Sequence, residues 1–183
     1  HAQPKRVFGC VLCIQAQEPI TTTRHRFEIG NAIHVQLGGQ SRKIAAQPLM
    51  RIAAQRVDAS GAAMDPEPVV VAQGGSKITN PTAAWTGTEY LVVWEDAGTN
   101  RIYGRRLAPD LTMLDPTPIA LLRGNTPDVA ALNGVFLVVA SYEQPPENRL
   151  IYSQRVRGSD GAILDASPGA VGPDFSLYPR VTA

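Results

Sequence analysis

Glu95 and Glu143 are the residues of this sequence whose type best suits them to do chemistry together. Two carboxylates on facing loops can divide the work of general acid and general base, the arrangement that cleaves glycosidic bonds. Glu95 is followed by Asp96, and Glu143 stands between Tyr142 and, four residues on, Glu147. Lys77 and Asn80 precede the first group, and Arg123 and Asn125 lie between the two, so both acids have polar or cationic neighbours suited to contacting a ligand. The plainer reading is that these are solvated turn residues, because acids at strand ends are common and sequence spacing does not set the distance between two loops.

Other chemistries are excluded by spacing. GSDG (158–161) and GGS (74–76) lack the pattern of a nucleophile elbow. The close glycine pairs Gly38-Gly39 and Gly74-Gly75 are followed neither by Lys-Ser/Thr nor by a helical pattern, so no phosphate loop is present. Cys10 and Cys13 form a CxxC pair, but a structural zinc takes four ligands and the other candidates, His1, His25 and His34, are irregularly spaced. Ile14 stands where c-type haem attachment would need His, and no helical pattern follows to make a thioredoxin-like site. The cysteines read as two small apolar thiols or a local disulfide, and no metal or cofactor is expected.

The chain has 183 residues, enough for one domain or a piece of a larger one. Its 17 Lys and Arg against 16 Asp and Glu leave a net charge of +1, without the basic excess of a sequence-independent nucleic-acid or anionic-membrane binder. Hydrophobic residues at 44% and charged residues at 18% point to a packed globular chain. The longest apolar run, residues 7–14, falls short of the ~18 needed to cross a bilayer, so no membrane insertion is expected. Lys5-Arg6 before it and QAQ (15–17) after it look like the tail of a secretory signal, or else the run is a first strand packed on the domain. With 16 Gly and 15 Pro spread along the chain, long helices are not expected.

The elements that must position the acids are internal repeats. NPTAAWTGTEYLVVW (80–94) is echoed by TPDVAALNGVFLVVA (126–140), and YPRVTA (178–183) opens a third copy. A second segment recurs as IAAQRV (52–57), IYGRRL (102–107) and IYSQRV (151–156). Each is followed by a turn (58–61, 108–110, 158–161) and then by Met64-Asp65, Leu114-Asp115 or Leu164-Asp165. PVVVA (68–72) and PIALL (118–122) close the unit. Four strand signals separated by Gly, Asp, Asn and Pro in each period of ~40 to 50 residues match a four-stranded meander, the blade of a β-propeller. The recurring Arg56, Arg106 and Arg155 with Asp65, Asp115 and Asp165 predict one structural salt bridge or turn clamp per blade. Trp85, Trp94, Tyr90, Tyr103 and Tyr152 lie inside strand patterns and read as packing residues.

The expected fold is all-β, a propeller-like array of about three four-stranded antiparallel blades with the ring incomplete in one chain. Residues 1–19 read as an N-terminal extension, 20–75 as a degenerate first blade, 76–123 and 124–174 as the second and third, and 175–183 as the first strand of a further or shared blade. In the degenerate blade HRFEI (25–29) matches the Pro-led strand, and GNAIHVQL (30–37) has the alternation of residues 87–94. YLVVW (90–94) and IYSQRV (151–156), with a Gly turn and Leu-Asp following, resemble propeller-type repeats of large secreted or surface proteins of bacteria. The resemblance covers about residues 51–183 and implies an extracellular scaffold, since such repeats mostly have no assigned activity.

In a propeller the loops carrying Glu95, Asp96 and Glu143 and those carrying Lys77, Asn80, Arg123 and Asn125 emerge on one face. The expectation is a non-catalytic structural or binding module, secreted or on the cell surface, offering these residues to a protein or glycan partner. A glycan-cleaving enzyme using Glu95 and Glu143 is the alternative, and a self-assembling subunit is another. Three blades are too few to close a ring, so a larger parent chain or a homodimer is expected to complete it.

Overall fold

The computed structural model describes residues 11–17, 32–37, 40–45, 50–58, 62–74, 77–144, 148–171 and 179–182. Short apolar stretches broken by turn residues cannot sustain helices, and the described residues contain strands and no helix. The first strands are β1 (Val11–Gln17), β2 (Ala32–Leu37), β3 (Gln40–Ala45), β4 (Met50–Val57) and β5 (Val69–Gly74). Then come β6 (Ile78–Trp85), β7 (Tyr90–Asp96), β8 (Arg101–Leu107) and β9 (Ile119–Arg123). The last are β10 (Asn125–Leu132), β11 (Val135–Gln144), β12 (Asn148–Arg157) and β13 (Gly169–Val171).

The sheets are antiparallel: β1-β4-β5, the hairpin β2-β3, and the four-stranded meanders β6-β7-β8-β9 and β10-β11-β12-β13 in chain order. Asn133-Gly134, both at positive φ, makes the tight turn between β10 and β11, the residue pair such a hairpin favours. The place beside β4, which the alternation of residues 30–37 assigns to β2, is held by β1, with Val11 opposite Val57 and Gln17 opposite Arg51. β2 pairs instead with β3, because a local hairpin closes a far shorter loop than pairing with β4 would. Residues 25–29 and Cys10 lie outside the described residues.

The sheet β6–β9 lies between two others, and its apolar run in β7 is buried on both faces. Leu91 and Val93 pack toward Phe136, Val138, Ala140 and Val156 of the β10–β13 sheet. Tyr90, Val92 and Trp94, pointing the other way, pack with Ile52, Ala54 and Val71 of the β1-β4-β5 sheet.

The recurring Arg and Asp form the same clamp in each of the three larger sheets. Arg56, Arg106 and Arg155 are paired with Asp65, Asp115 and Asp165, and each Asp also accepts the Arg backbone N–H, at 2.8, 2.8 and 2.6 Å. The turn is thereby folded back onto its own strand, with bridges Val57 to Ala63, Leu107 to Met113 and Val156 to Ile163. A further guanidinium nitrogen reaches the turn of the next sheet: Arg56 Nη1 donates to Pro109 O at 3.3 Å and Arg106 Nη1 to Gly158 O at 2.7 Å. A Cβ at Gly158 would lie 2.0 Å from Glu89 Oε1 and 3.0 Å from Gly134 O, so a larger residue there would have to displace the Glu89 side chain. The Arg106 and Asp115 side chains are 7% and 10% exposed, against 56% and 21% for Arg155 and Asp165.

Removing one partner of a buried pair leaves an uncompensated charge, so Arg106→Ala is expected to cost about 3–5 kcal/mol by chemical denaturation. Arg155→Ala, which breaks a solvated pair, costs clearly less, and equal losses would refute the distinction. Hydrogen bonds from the Arg56 and Arg155 side chains hold the carboxyls of Asp65 and Asp165 below the usual range. With the folded pKa depressed, this stability is present above the unfolded value of about 3.9 and is lost as pH falls through the lowered folded value. The thermal midpoint should therefore drop below about pH 4, and less steeply in a variant carrying Asp65→Asn and Asp165→Asn.

Candidate functional site

β6 and β10 lie against each other, and each carries the same irregularity. The register slips between Thr79 and Thr82 and between Asn125 and Asp128, and the residue before Pro81 or Pro127 has a left-handed backbone, φ 51° at Asn80 and 46° at Thr126. Asn tolerates this region, whereas a β-branched Thr is strained in it and must be held by its surroundings.

Glu95 does the holding. It is 9% exposed, and its Oε2 accepts Asn80 Nδ2 at 2.8 Å from its own sheet and Thr126 N at 3.0 Å from the next. Thr126 Oγ1 also bonds Ser141 Oγ at 3.2 Å. Ser141 is the counterpart of Glu95, since they face Ile151 and Ile102 at matching positions of β12 and β8. Gly124, at φ 140°, allows the connection into β10, because a Cβ there would lie 2.3 Å from Ser141 O.

A cleft of about 270 Å³ opens beside these bulges, lined by Asn80, Pro81 and Thr82, by Thr126 and Pro127, and by Pro179 and Arg180. The aligned prolines of three repeats thus meet at one place. Asp128 ties them together: Oδ1 accepts Thr82 Oγ1 at 3.3 Å and Oδ2 accepts Val181 N at 2.9 Å.

Of the residues predicted from sequence, Asn80 and Glu95 are in direct contact, and Asn125 precedes the Thr126 that Glu95 grips. Lys77 is exposed in the turn before β6, where its carbonyl accepts Ala97 N at 3.0 Å. Asp96 caps the adjoining turn, accepting Gly98 N at 2.9 Å. Glu143 is exposed on β11 opposite Arg149, on a different sheet from Glu95 and two positions past Ser141. Arg123 faces a separate groove with Arg101. Glu147 and Tyr178 lie outside the described residues. Among the described residues no group of three or more His, Cys, Asp or Glu could hold a metal, and no helix is long and apolar enough to cross a membrane.

Thr126, Asp128, Ser141 and Arg180 were not singled out from sequence. Thr82, Asp128 and Arg180 do align as the residue after Pro in each repeat, and that polar position was the available signal.

Glu95→Ala leaves the Thr126 N–H and the Asn80 amide without their acceptor and is expected to cost about 1–3 kcal/mol in urea denaturation. Glu95→Gln keeps one acceptor oxygen and should cost less; equal stability of all three proteins would remove the anchoring role. Compared with protein-family models, curated proteins and solved structures, the chain has no match.

Proposed function

We propose that the chain is a run of propeller-type blades serving as a non-catalytic structural or binding module of a secreted or surface-exposed protein, with a protein or glycan as partner. The observation that carries this reading is the use of Glu95: its carboxylate grips the entry strands of two successive sheets. That carboxylate joins two sheets, and Glu143, its partner in the glycan-cleaving alternative, is exposed on another sheet. The propeller arrangement is supported by face-to-face sheets in chain order and by the adjacent, identically bulged β6 and β10. Residues 179–182 run beside β10, held by Asp128, as the entry strand of a further blade would.

Arg155 fits the same scheme. Arg56 and Arg106 each donate to a carbonyl in the following sheet, and the more exposed Arg155 is poised to do so for another blade, from a larger parent chain or a second copy. The loops 73–80, 95–101, 123–126 and 142–149 are the contact regions this reading assigns.

On a panel of immobilised polysaccharides the purified chain should be retained without releasing reducing ends. Release that disappears in both Glu95→Gln and Glu143→Gln, in proteins that still fold, would establish the glycan-cleaving alternative instead.

A further inference from the structure

The two junctions between stacked sheets differ at one aligned position. In β8, Arg105 spans the junction with the first sheet, its Nη1 donating 2.7 Å to Val71 O of β5. In β12 the same position holds Gln154, as the matching register partners Val92 and Val138 show. The amide is shorter than a guanidinium arm, and no hydrogen bond joins it to Leu121 O, the counterpart of Val71 O, which Arg101 Nη1 meets only at 3.5 Å. Arg105 reaches across one junction, and the other carries a groove of about 380 Å³, within the range of small-molecule sites.

Gln154 lines this groove at 5% exposure, and its Oε1 has no hydrogen-bond partner. Buried acceptors are almost always paired, so this one marks a place where a donor is missing. Arg101 and Arg123, register partners on β8 and β9, both line the groove. Their forked guanidinium groups suit a carboxylate. On the facing sheet Tyr142 and Tyr152 meet edge to face with centroids 5.8 Å apart, giving an aromatic wall with polar tips.

We propose that this groove binds an acidic saccharide. The carboxylate of a uronate residue is held by Arg101 and Arg123, a ring hydroxyl meets the Gln154 side chain on the groove wall, and the C–H face of the sugar rests on the tyrosines. Cation, amide and aromatic groups on facing walls match a sugar ring that carries a carboxylate, several hydroxyls and a C–H face, whereas a peptide terminus would use the guanidinium end alone. The inference rests on the reading of the chain as a binding module and narrows it to one ligand class.

The test is calorimetric titration of the full chain with trigalacturonate, with cellotriose and a peptide bearing a free carboxyl terminus as comparators. Trigalacturonate should bind, more weakly as salt rises, and cellotriose and the peptide should not compete with it. Gln154→Arg places the sister repeat's side chain in the groove and should lose at least about tenfold in affinity while keeping the thermal midpoint. Arg123→Gln, at an exposed strand end, should lose a similar factor. No binding of trigalacturonate, a preference for cellotriose or the peptide, or unchanged affinity in both variants would overturn the inference; retention of neutral glycans alone would do so while leaving the module reading intact. Reducing ends released from trigalacturonate would overturn that reading and the inference with it.

Discussion

The sheet β6–β9 has apolar side chains on both faces, and every other part of the arrangement follows from the need to cover them. Leu91 and Val93 on one side of β7, and Tyr90, Val92 and Trp94 on the other, are buried only because a sheet packs on each face. Fully burying a side chain of this size contributes about 1.5–3 kcal/mol, so an isolated meander would forfeit most of what holds it together. Stacking is therefore the condition for the unit to exist, and the neighbouring sheets must be set at one distance and one register.

Polar side chains at the junctions supply that register. Arg56 and Arg106 are each committed to an Asp of their own turn and then extend to a carbonyl of the next sheet. Glu95 and Asp128 do the equivalent at the bulged entry strands, each bridging two successive segments of the repeat. These groups are costly to bury alone and favourable only with their partners, so they add little net stability and define instead which arrangement of the sheets is satisfied. Apolar faces decide that the sheets stack, and the polar seams decide how.

Repetition with variation is what leaves room for a ligand. At the position where one junction is filled by the long arm of Arg105, Gln154 leaves the next junction open and its own oxygen unpaired. The strand scaffold is unaffected, because both residues keep the same backbone pairing and only the side chain turned to the junction differs. A single side-chain difference between repeats can thus convert a structural contact into a recess with polar lining.

The sequence by itself determined the features that depend on residues close together in the chain. Turn punctuation and the strand period specified antiparallel four-stranded meanders, Asn133-Gly134 specified its hairpin, and the regular spacing of Arg and Asp specified the clamps, since a turn folding back on its own strand brings them together in every repeat. Only the tertiary structure decided that β1 rather than β2 stands beside β4, that Glu95 grips Thr126 while Ser141 stands at its matching position, and that Gln154 borders a groove with Arg123 and the tyrosines. Those relations are set by which groups of two stacked sheets oppose each other across a junction, and spacing along one strand carries no record of that.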